Sequence, residues 1–256
     1  MTYLYGLIDA QVDAVSEVLD GLEGVTGPVF ASRCDRWTVI WGDAEPDAEF
    51  LPKRRLLLRH TKVLESVLGC ASLLPMRFGV VAGSLGEFEA RVLAARPRVT
   101  EEFAKVQGKA EYGIRITVEA DVALSRVLEE DPQMRAERDA LINAGAAHHY
   151  AKVDFGQKLG ERVQSERQIA QRHLIRAIGK VAKTYVLKAP ESDMEVLRAE
   201  FLVGTQDEAA LNEAIEAAVS ECPLTAQNAA TVRLLGPAPA FNFVSLSLDQ
   251  NLSGAA

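Results

Sequence analysis

The histidines are the residues whose chemistry is most versatile, and their spacing argues against a metal or catalytic site. His148 and His149 are adjacent, and Asp154 lies five residues beyond the second of them. Adjacent residues on a helix point about 100° apart, so the two imidazoles cannot readily ligate one metal ion. We therefore interpret the pair as a polar helix start. His60 falls on the apolar face of a predicted helix, where a half-buried structural histidine is the expected role.

The glycine-rich and nucleophile motifs of common enzymes do not indicate an active site either. Gly79, Gly83 and Gly86 lie between an apolar run and a helix, but their spacing fits neither GxGxxG nor GxxxxGK[ST]. The patterns GxSxG, CxxC and HExxH do not occur in the sequence. Glu101 and Glu102 lie in a helical segment and are interpreted as surface charge, because a general acid needs burial. We expect no catalytic residue, no cofactor and no metal ion.

Composition narrows the class of protein further. The chain has 256 residues, of which 48% are hydrophobic, and a formal net charge of -8. This charge argues against broad electrostatic capture of nucleic acid. No apolar stretch approaches the roughly 18 residues of a membrane-spanning helix, and the N-terminus lacks the basic residues of a signal or transit peptide. Three widely spaced cysteines fit reduced thiols. We predict a cytoplasmic protein with no nucleic-acid, membrane or small-molecule partner.

Strand and helix patterns alternate in the first 80 or so residues. The predicted order is a strand (3–8), a helix (13–22), a hairpin (25–31 and 36–41), a helix (53–68) and a strand (72–77). This β-α-β-β-α-β order is typical of a ferredoxin-like domain, in which two helices cover one face of an antiparallel sheet. Ser84 followed by Glu87 predicts a capped helix over residues 85–94.

The second half predicts another α+β unit with a long helical insertion. Residues 109–120 alternate as a strand with one wet face, and helical patterns fill 121–143. Residues 148–187 contain no proline and carry a narrow apolar seam among many charges, as in a coiled-coil arm. A strand (195–203), a helix (207–219) and a strand (231–235) follow.

The predicted fold class is therefore α+β, with two small ferredoxin-like domains and a long, coiled-coil-like arm inserted in the second. The predicted boundaries are an N-terminal domain (1–106), a C-terminal domain (107–240) that includes the arm (about 121–188), and a tail (241–256).

Charge is distributed unevenly between the arm and the C-terminal part. Residues 152–188 contain nine Lys or Arg and three acids, whereas the residues from 189 onward contain two bases and ten acids. The arm either pairs with these acids within the molecule or docks a partner through Arg167, Arg172 and Arg176.

The tail offers a second possible contact. Two prolines favour an extended path over residues 236–244, and Phe241 and Phe243 alternate along it. These rings either pack onto the last domain or bind a partner.

Several segments together resemble the gas vesicle protein F/L family (GvpF/GvpL). They are residues 3–8 (YLYGLI), 60–67 (HTKVLESV), 73–80 (LLPMRFGV), 200–203 (EFLV) and 236–244 (GPAPAFNFV). The central pair, a helix with the pattern HxxVLE that leads into LPxRFG, is the most specific. The closing block has Ala238 where the family usually has an aromatic residue and Ala240 where it has a second proline.

The resemblance implies a non-enzymatic assembly or minor structural protein, found in the cytoplasm at the gas vesicle. Family members are thought to associate with the hydrophobic shell protein GvpA and with other Gvp proteins. Arg77 and Phe78, within the central block, are candidate contacts. In an alternative interpretation the block is a scaffold in which Arg77 bonds loop carbonyls. An alternative function is a small-molecule-binding regulatory protein built on paired ferredoxin-like units, which requires a pocket with convergent polar groups.

Overall fold

The computed structural model describes residues 1–46, 48–143, 148–227 and 229–246. It has the predicted α+β class, with two antiparallel sheets and helices between their strands. The chain divides into two compact units, the first formed by Met1–Tyr112 and Gly236–Ala256 and the second by Gly113–Leu235. The predicted boundaries at 106 and 240 stay a prediction.

The first unit has the predicted order of elements over its first 80 residues. Its elements are β1 (Thr2–Ile8), α1 (Asp13–Leu19), β2 (Phe30–Cys34), β3 (Trp37–Asp43), α2 (Arg54–Leu68), β4 (Leu73–Pro75), β5 (Val81–Ala82), α3 (Leu85–Ala94) and α4 (Arg96–Val106). The strands form a sheet in the order β2-β3-β1-β4, and β5 also pairs with β1. All residues of β1 are buried, because neighbouring strands and helices enclose it.

Local sequence rules hold for the helices of this unit. The apolar face of α2 buries His60, Val63, Leu64 and Val67, as its spacing predicts. The Ser84 side chain accepts a hydrogen bond from the Glu87 backbone N–H at 3.2 Å, so the predicted cap is confirmed.

The hairpin differs from its prediction in position. Strand β2 begins at Phe30 rather than at residue 25, and it continues through Cys34, which was predicted to lie in the turn. The turn is only Asp35 and Arg36, and Asp35 has a φ of 57°, a backbone conformation that aspartate tolerates. Val25 and Val29 are buried in the core outside the strand, so their β-branched pattern reflects burial.

The second unit contains the long helix and the second sheet. Its elements are β6 (Lys109–Val118), α5 (Ala120–Glu130), α6 (Pro132–Asn143), α7 (His149–Ile178), β7 (Thr184–Leu187), β8 (Glu195–Gly204), α8 (Glu208–Glu221) and β9 (Ala230–Ala238). The boundary between the two units falls within β6 and within β9. The sheet order is β7-β8-β6-β9. None of the helices in the described ranges is long and apolar enough to cross a bilayer.

The predicted long helix is wrong at its C-terminal end. Helix α7 stops at Ile178, and Thr184–Leu187 form the edge strand β7. The Gly179 N–H closes the last turn on the Ile175 carbonyl, and the β-branched and aromatic residues that follow pair with β8. Within α7 the seam is buried at Phe155, Val163, Ala170, Leu174 and Ile178. Helices α5, α6 and α8 contact α7.

Candidate interaction site

The central block of the sequence forms β4 and the turn that follows it. The Met76 N–H donates to the Tyr5 carbonyl at 2.7 Å, and the Leu4 N–H donates to the Val80 carbonyl at 3.0 Å. Both ends of the turn are therefore bound to β1. Gly79 within the turn has a φ of 84°, which favours glycine.

His60 connects this turn to the centre of the sheet. Its Nε2 lies 3.0 Å from the Met76 carbonyl, which can only accept, so Nε2 carries the proton. Its Nδ1 is then the acceptor for the Tyr3 hydroxyl at 2.9 Å. The Tyr3 oxygen in turn accepts the Gly79 N–H at 3.1 Å. We call Tyr3, Tyr5, His60 and Phe78 the His60 cluster.

Burial keeps the polar groups of the His60 cluster neutral. Desolvation lowers the pKa of His60 from 6.5 to about 4, although the hydrogen bond to the Met76 carbonyl opposes this shift. Desolvation likewise raises the pKa of Tyr3 above its ordinary value. Tyr5 stacks on the imidazole at 5.4 Å between ring centroids, and Phe78 meets it edge-on at 5.8 Å. Tyr3, Tyr5 and His60 are buried and their polar groups are hydrogen-bonded, which suits a role in holding the turn.

The two candidate contacts in this turn lie in different environments. Phe78 is partly buried and packs against the core of the first unit. The Arg77 side chain is exposed, and it makes no hydrogen bond or ion pair with any described residue. The alternative expectation that Arg77 bonds loop carbonyls is therefore wrong, because His60 and Tyr3 hold the turn instead.

The arginines of α7 also separate into two kinds. Arg167 donates to the Glu195 carbonyl at 2.8 Å, at the start of β8, and so belongs to the packing of the second unit. Arg172 and Arg176 are exposed, and neither takes part in an ion pair within the part of the chain described. They are the arm arginines of the sequence analysis that a partner can reach.

The tail is bound to the first unit rather than to the last domain. Phe241 packs against the hydrophobic core that surrounds β1. The Glu111 carboxylate accepts the Asn242 backbone N–H at 2.9 Å and the Asn242 side-chain amide at 2.6 Å. The Ser245 N–H donates to Glu102 at 3.1 Å. We call these five residues the tail clamp. Phe243, the other predicted tail contact, is half-buried.

Sequence reasoning missed both carboxylates of the tail clamp. Glu102, interpreted as surface charge, is 7% exposed, and Glu111 is 6% exposed on the face of β6 that was expected to be wet. Their partners lie 143 and 131 residues away in the chain. No local pattern could reveal such distant partners.

The described part of the surface carries two open grooves. One open groove of about 540 Å³ runs along the outer side of α2 and is lined by Arg54, Arg55, Leu58, Arg59 and Lys62. Another, of about 780 Å³, lies between α1 and β2. Across the residues that the structure describes, no three His, Cys, Asp or Glu side chains are grouped to hold a metal ion.

Comparison with known proteins gives a match along nearly the entire chain. The family described as "Gas vesicle synthesis protein GvpL/GvpF" matches residues 1–245. Gas vesicle protein F of Streptomyces sp. (strain CB03234) is 26% identical over 243 residues, which cover 95% of this chain and 99% of that protein. Gas vesicle protein F of Microcystis aeruginosa (strain PCC 7806) is 26% identical over 219 residues, covering 84% and 87%.

Solved structures agree with the sequence comparison. The crystal structure of gas vesicle protein GvpF from Microcystis aeruginosa has a TM-score of 0.71 and 25% identity, and the match covers 96% of this chain and 99% of that one. The crystal structure of GvpF from Anabaena sp. PCC7120 has the same fold, with a TM-score of 0.80 and 20% identity over 96% and 98% of the two chains. Because the family match extends over residues 1–245, this chain belongs to the GvpL/GvpF family of gas vesicle synthesis proteins.

Proposed function

We propose that this chain is a non-enzymatic assembly or minor structural protein of the gas vesicle, which binds the hydrophobic shell protein GvpA and other Gvp proteins in the cytoplasm. The observation that carries the proposal is the family match over residues 1–245. The full-length relatives named gas vesicle protein F support it. In the same proposal each unit is a ferredoxin-like domain and α5–α7 form a coiled-coil-like arm.

The physical reason for such a protein lies in the shell itself. A shell that excludes water needs an apolar inner face, and an unassembled subunit exposes that face to solvent. Exposed apolar surface of this kind drives aggregation. A soluble protein that covers the apolar face until assembly prevents this aggregation, and it needs no catalytic group to do so.

Charge and exposure favour the arm and the turn as the contact surfaces. Arg77, Arg172 and Arg176 are exposed and are not engaged by any residue of the described ranges. We propose that they contact the partner, while Phe78, Arg167 and Phe241 hold the surrounding elements in place. Phe243, which is half-buried in the tail, is a further proposed contact.

The small-molecule alternative gains no support from these observations. The α2 groove is open and lined by a row of cations, without the mixed polar groups that orient a metabolite. The comparisons lead to gas vesicle proteins instead.

Capture of purified shell protein by the immobilised chain tests the proposal. Wild type is expected to capture it, and the double variant Arg172→Glu/Arg176→Glu to capture about tenfold less at low salt, because the charges that face the partner are reversed. A matched control, Arg98→Glu/Arg233→Glu, makes the same charge change at exposed positions elsewhere and is expected to behave as wild type.

The outcomes of the capture experiment distinguish the contact residues from the proposed function itself. Unchanged capture by the arm variant would remove Arg172 and Arg176 from the contact, and Arg77→Glu then tests the turn. Failure of the wild type to capture any shell protein would contradict the proposed function itself.

A further inference from the structure

The outer side of α2 carries a stripe of exposed residues with unusual chemistry. Arg54, Leu58 and Lys62 are spaced four residues apart, so they lie on one face of the helix. Leu58 is 59% exposed, and the groove of about 540 Å³ runs beside it. Arg54 and Lys62 make no ion pair with any residue in the described ranges. We call these three residues the α2 stripe.

Local helix stability does not explain the α2 stripe. Arg54 and Arg55 occupy the first turn of α2, which contains no acidic residue. The N-terminus of a helix carries partial positive charge, so a cation there is disfavoured. The chain as a whole has a net charge of -8, which makes a concentration of cations on one helix face more distinctive.

Helix α8 presents the opposite pattern. Glu213, Ala217 and Glu221 are also spaced four residues apart and are exposed, and Glu208–Glu221 contains no Lys or Arg. Glu221 ends the helix, where the partial charge of the helix is negative and a carboxylate is again disfavoured. We call these three residues the α8 stripe. Neither Glu213 nor Glu221 makes an ion pair with another described residue.

The two stripes match in length and in order. Each runs over eight residue steps, which is about 12 Å along a helix. When two such helices pack antiparallel, Arg54 faces Glu221, Lys62 faces Glu213, and Leu58 faces the small Ala217. The cation at one helix N-terminus then meets the acid at the other helix C-terminus, so each disfavoured charge gains a partner. A large side chain opposite a small one also lets the helices approach closely.

We propose that the α2 stripe of one copy packs antiparallel against the α8 stripe of a second copy, so that this protein associates with itself head to tail. Because the two surfaces differ, the contact is heterologous, and a pair keeps one unused α8 stripe on the first copy and one unused α2 stripe on the second. Repetition of the contact builds an open chain or a closed ring. The proposal goes beyond the proposed function, since it requires no shell protein.

Charge reversal on either stripe, measured by sedimentation velocity of the full chain, tests this contact. The α2 variant is Arg54→Glu/Lys62→Glu and the α8 variant is Glu213→Lys/Glu221→Lys. Wild type is expected to associate at about 50 mM salt and to weaken at least tenfold at about 500 mM, because the pairs are exposed and screened. Each variant alone is expected to associate at least tenfold more weakly, since like charges then face each other.

Mixing the two variants gives the sharpest result. An equimolar mixture restores opposite charges wherever the two variants meet, because reversed stripe then faces reversed stripe and unchanged stripe faces unchanged stripe. Association is expected to recover to within about threefold of wild type. The control Arg98→Glu/Arg233→Glu carries the same charge change as the α2 variant and is expected to associate as wild type. Circular dichroism melting checks that each variant is folded, and Arg54→Gln/Lys62→Gln replaces the α2 variant if it is not.

Three results would overturn the proposal. They are a monomeric wild type at about 0.2 mM protein and low salt, association that survives in either variant alone, and a mixture that fails to recover. A monomeric wild type whose α2 variant loses capture of the shell protein would assign the α2 stripe to that partner instead. Because self-association is measured without shell protein, its failure leaves the proposed function standing.

Discussion

Replacing His60 by glutamine is expected to remove part of the acid sensitivity of the first unit. The Gln amide can place an oxygen near the Tyr3 hydroxyl and an N–H near the Met76 carbonyl, because its O and N are separated by about the same distance as the two imidazole nitrogens. The variant can therefore still form hydrogen bonds with the Tyr3 hydroxyl and the Met76 carbonyl. What the variant lacks is a group that takes up a proton when the chain unfolds.

The magnitude follows from the pKa of His60 in the two states. Burial lowers the folded pKa from 6.5 to about 4, so the folded state holds the neutral imidazole and the unfolded state binds the proton more tightly. The contribution to stability is therefore complete above about pH 6.5 and is lost as the pH falls toward 4. Between about pH 7.5 and pH 5 the lost free energy of unfolding is about 2 kcal/mol, and below both pKa values it is about 3 kcal/mol.

Urea unfolding followed by tryptophan fluorescence measures the free energy of unfolding of the first unit, which contains His60. Both tryptophans, Trp37 and Trp41, lie in β3 of the first unit. Wild type is expected to lose about 2 kcal/mol more than His60→Gln between about pH 7.5 and pH 5, while carboxylates common to both proteins cancel in the difference. Equal losses in the two proteins would refute the assignment of His60 as a buried neutral histidine.

Four further changes in the first unit have expected effects on urea stability. Gly24→Ala brings a Cβ into the Tyr5 hydroxyl and is expected to cost about 1–3 kcal/mol, whereas Gly86→Ala, with nothing within 4 Å, is expected to gain up to about 1 kcal/mol. Phe241→Ala removes a partly buried ring from the first core and is expected to cost about 2 kcal/mol. Ser84→Ala removes the cap of α3 and is expected to cost about 1 kcal/mol.

Each of these predictions has a contrary result. Equal stability of the Gly24 and Gly86 variants would contradict the close packing around Tyr5. A Phe241→Ala protein as stable as wild type would mean that the tail does not pack on the first unit in solution. For Ser84→Ala the contrary result is an unchanged urea midpoint, with Ser16→Ala, an exposed position inside α1, as a comparison.

The parts of the fold that the sequence predicts well depend on neighbours in the chain. The apolar face of α2 and the Ser84 cap each depend on residues within one or two helical turns, and both are present as predicted. The segment 184–187 shows where this reasoning stops. Tyr185 continues the helical spacing of the apolar seam, but the edge of β8 offers backbone hydrogen bonds that a longer helix would leave unused.

The candidate site depends on contacts that no local pattern encodes. The sequence singled out His60, but its partners Tyr3 and Gly79 are brought to it by the pairing of β1 with β4 and β5. The tail clamp unites Glu102 and Glu111 with residues more than 100 positions later. Burial of a carboxylate by so distant a segment becomes visible only once the fold is known.

Whether this chain lends a surface to the shell protein is decided by what happens to the shell protein in its presence. Shell protein diluted from denaturant is followed by light scattering, with and without an equimolar amount of the chain. From the proposed function we expect the scattering to be suppressed and the two proteins to elute together from a gel-filtration column. Shell protein that aggregates at the same rate with the chain as with an unrelated acidic protein of similar size would contradict it.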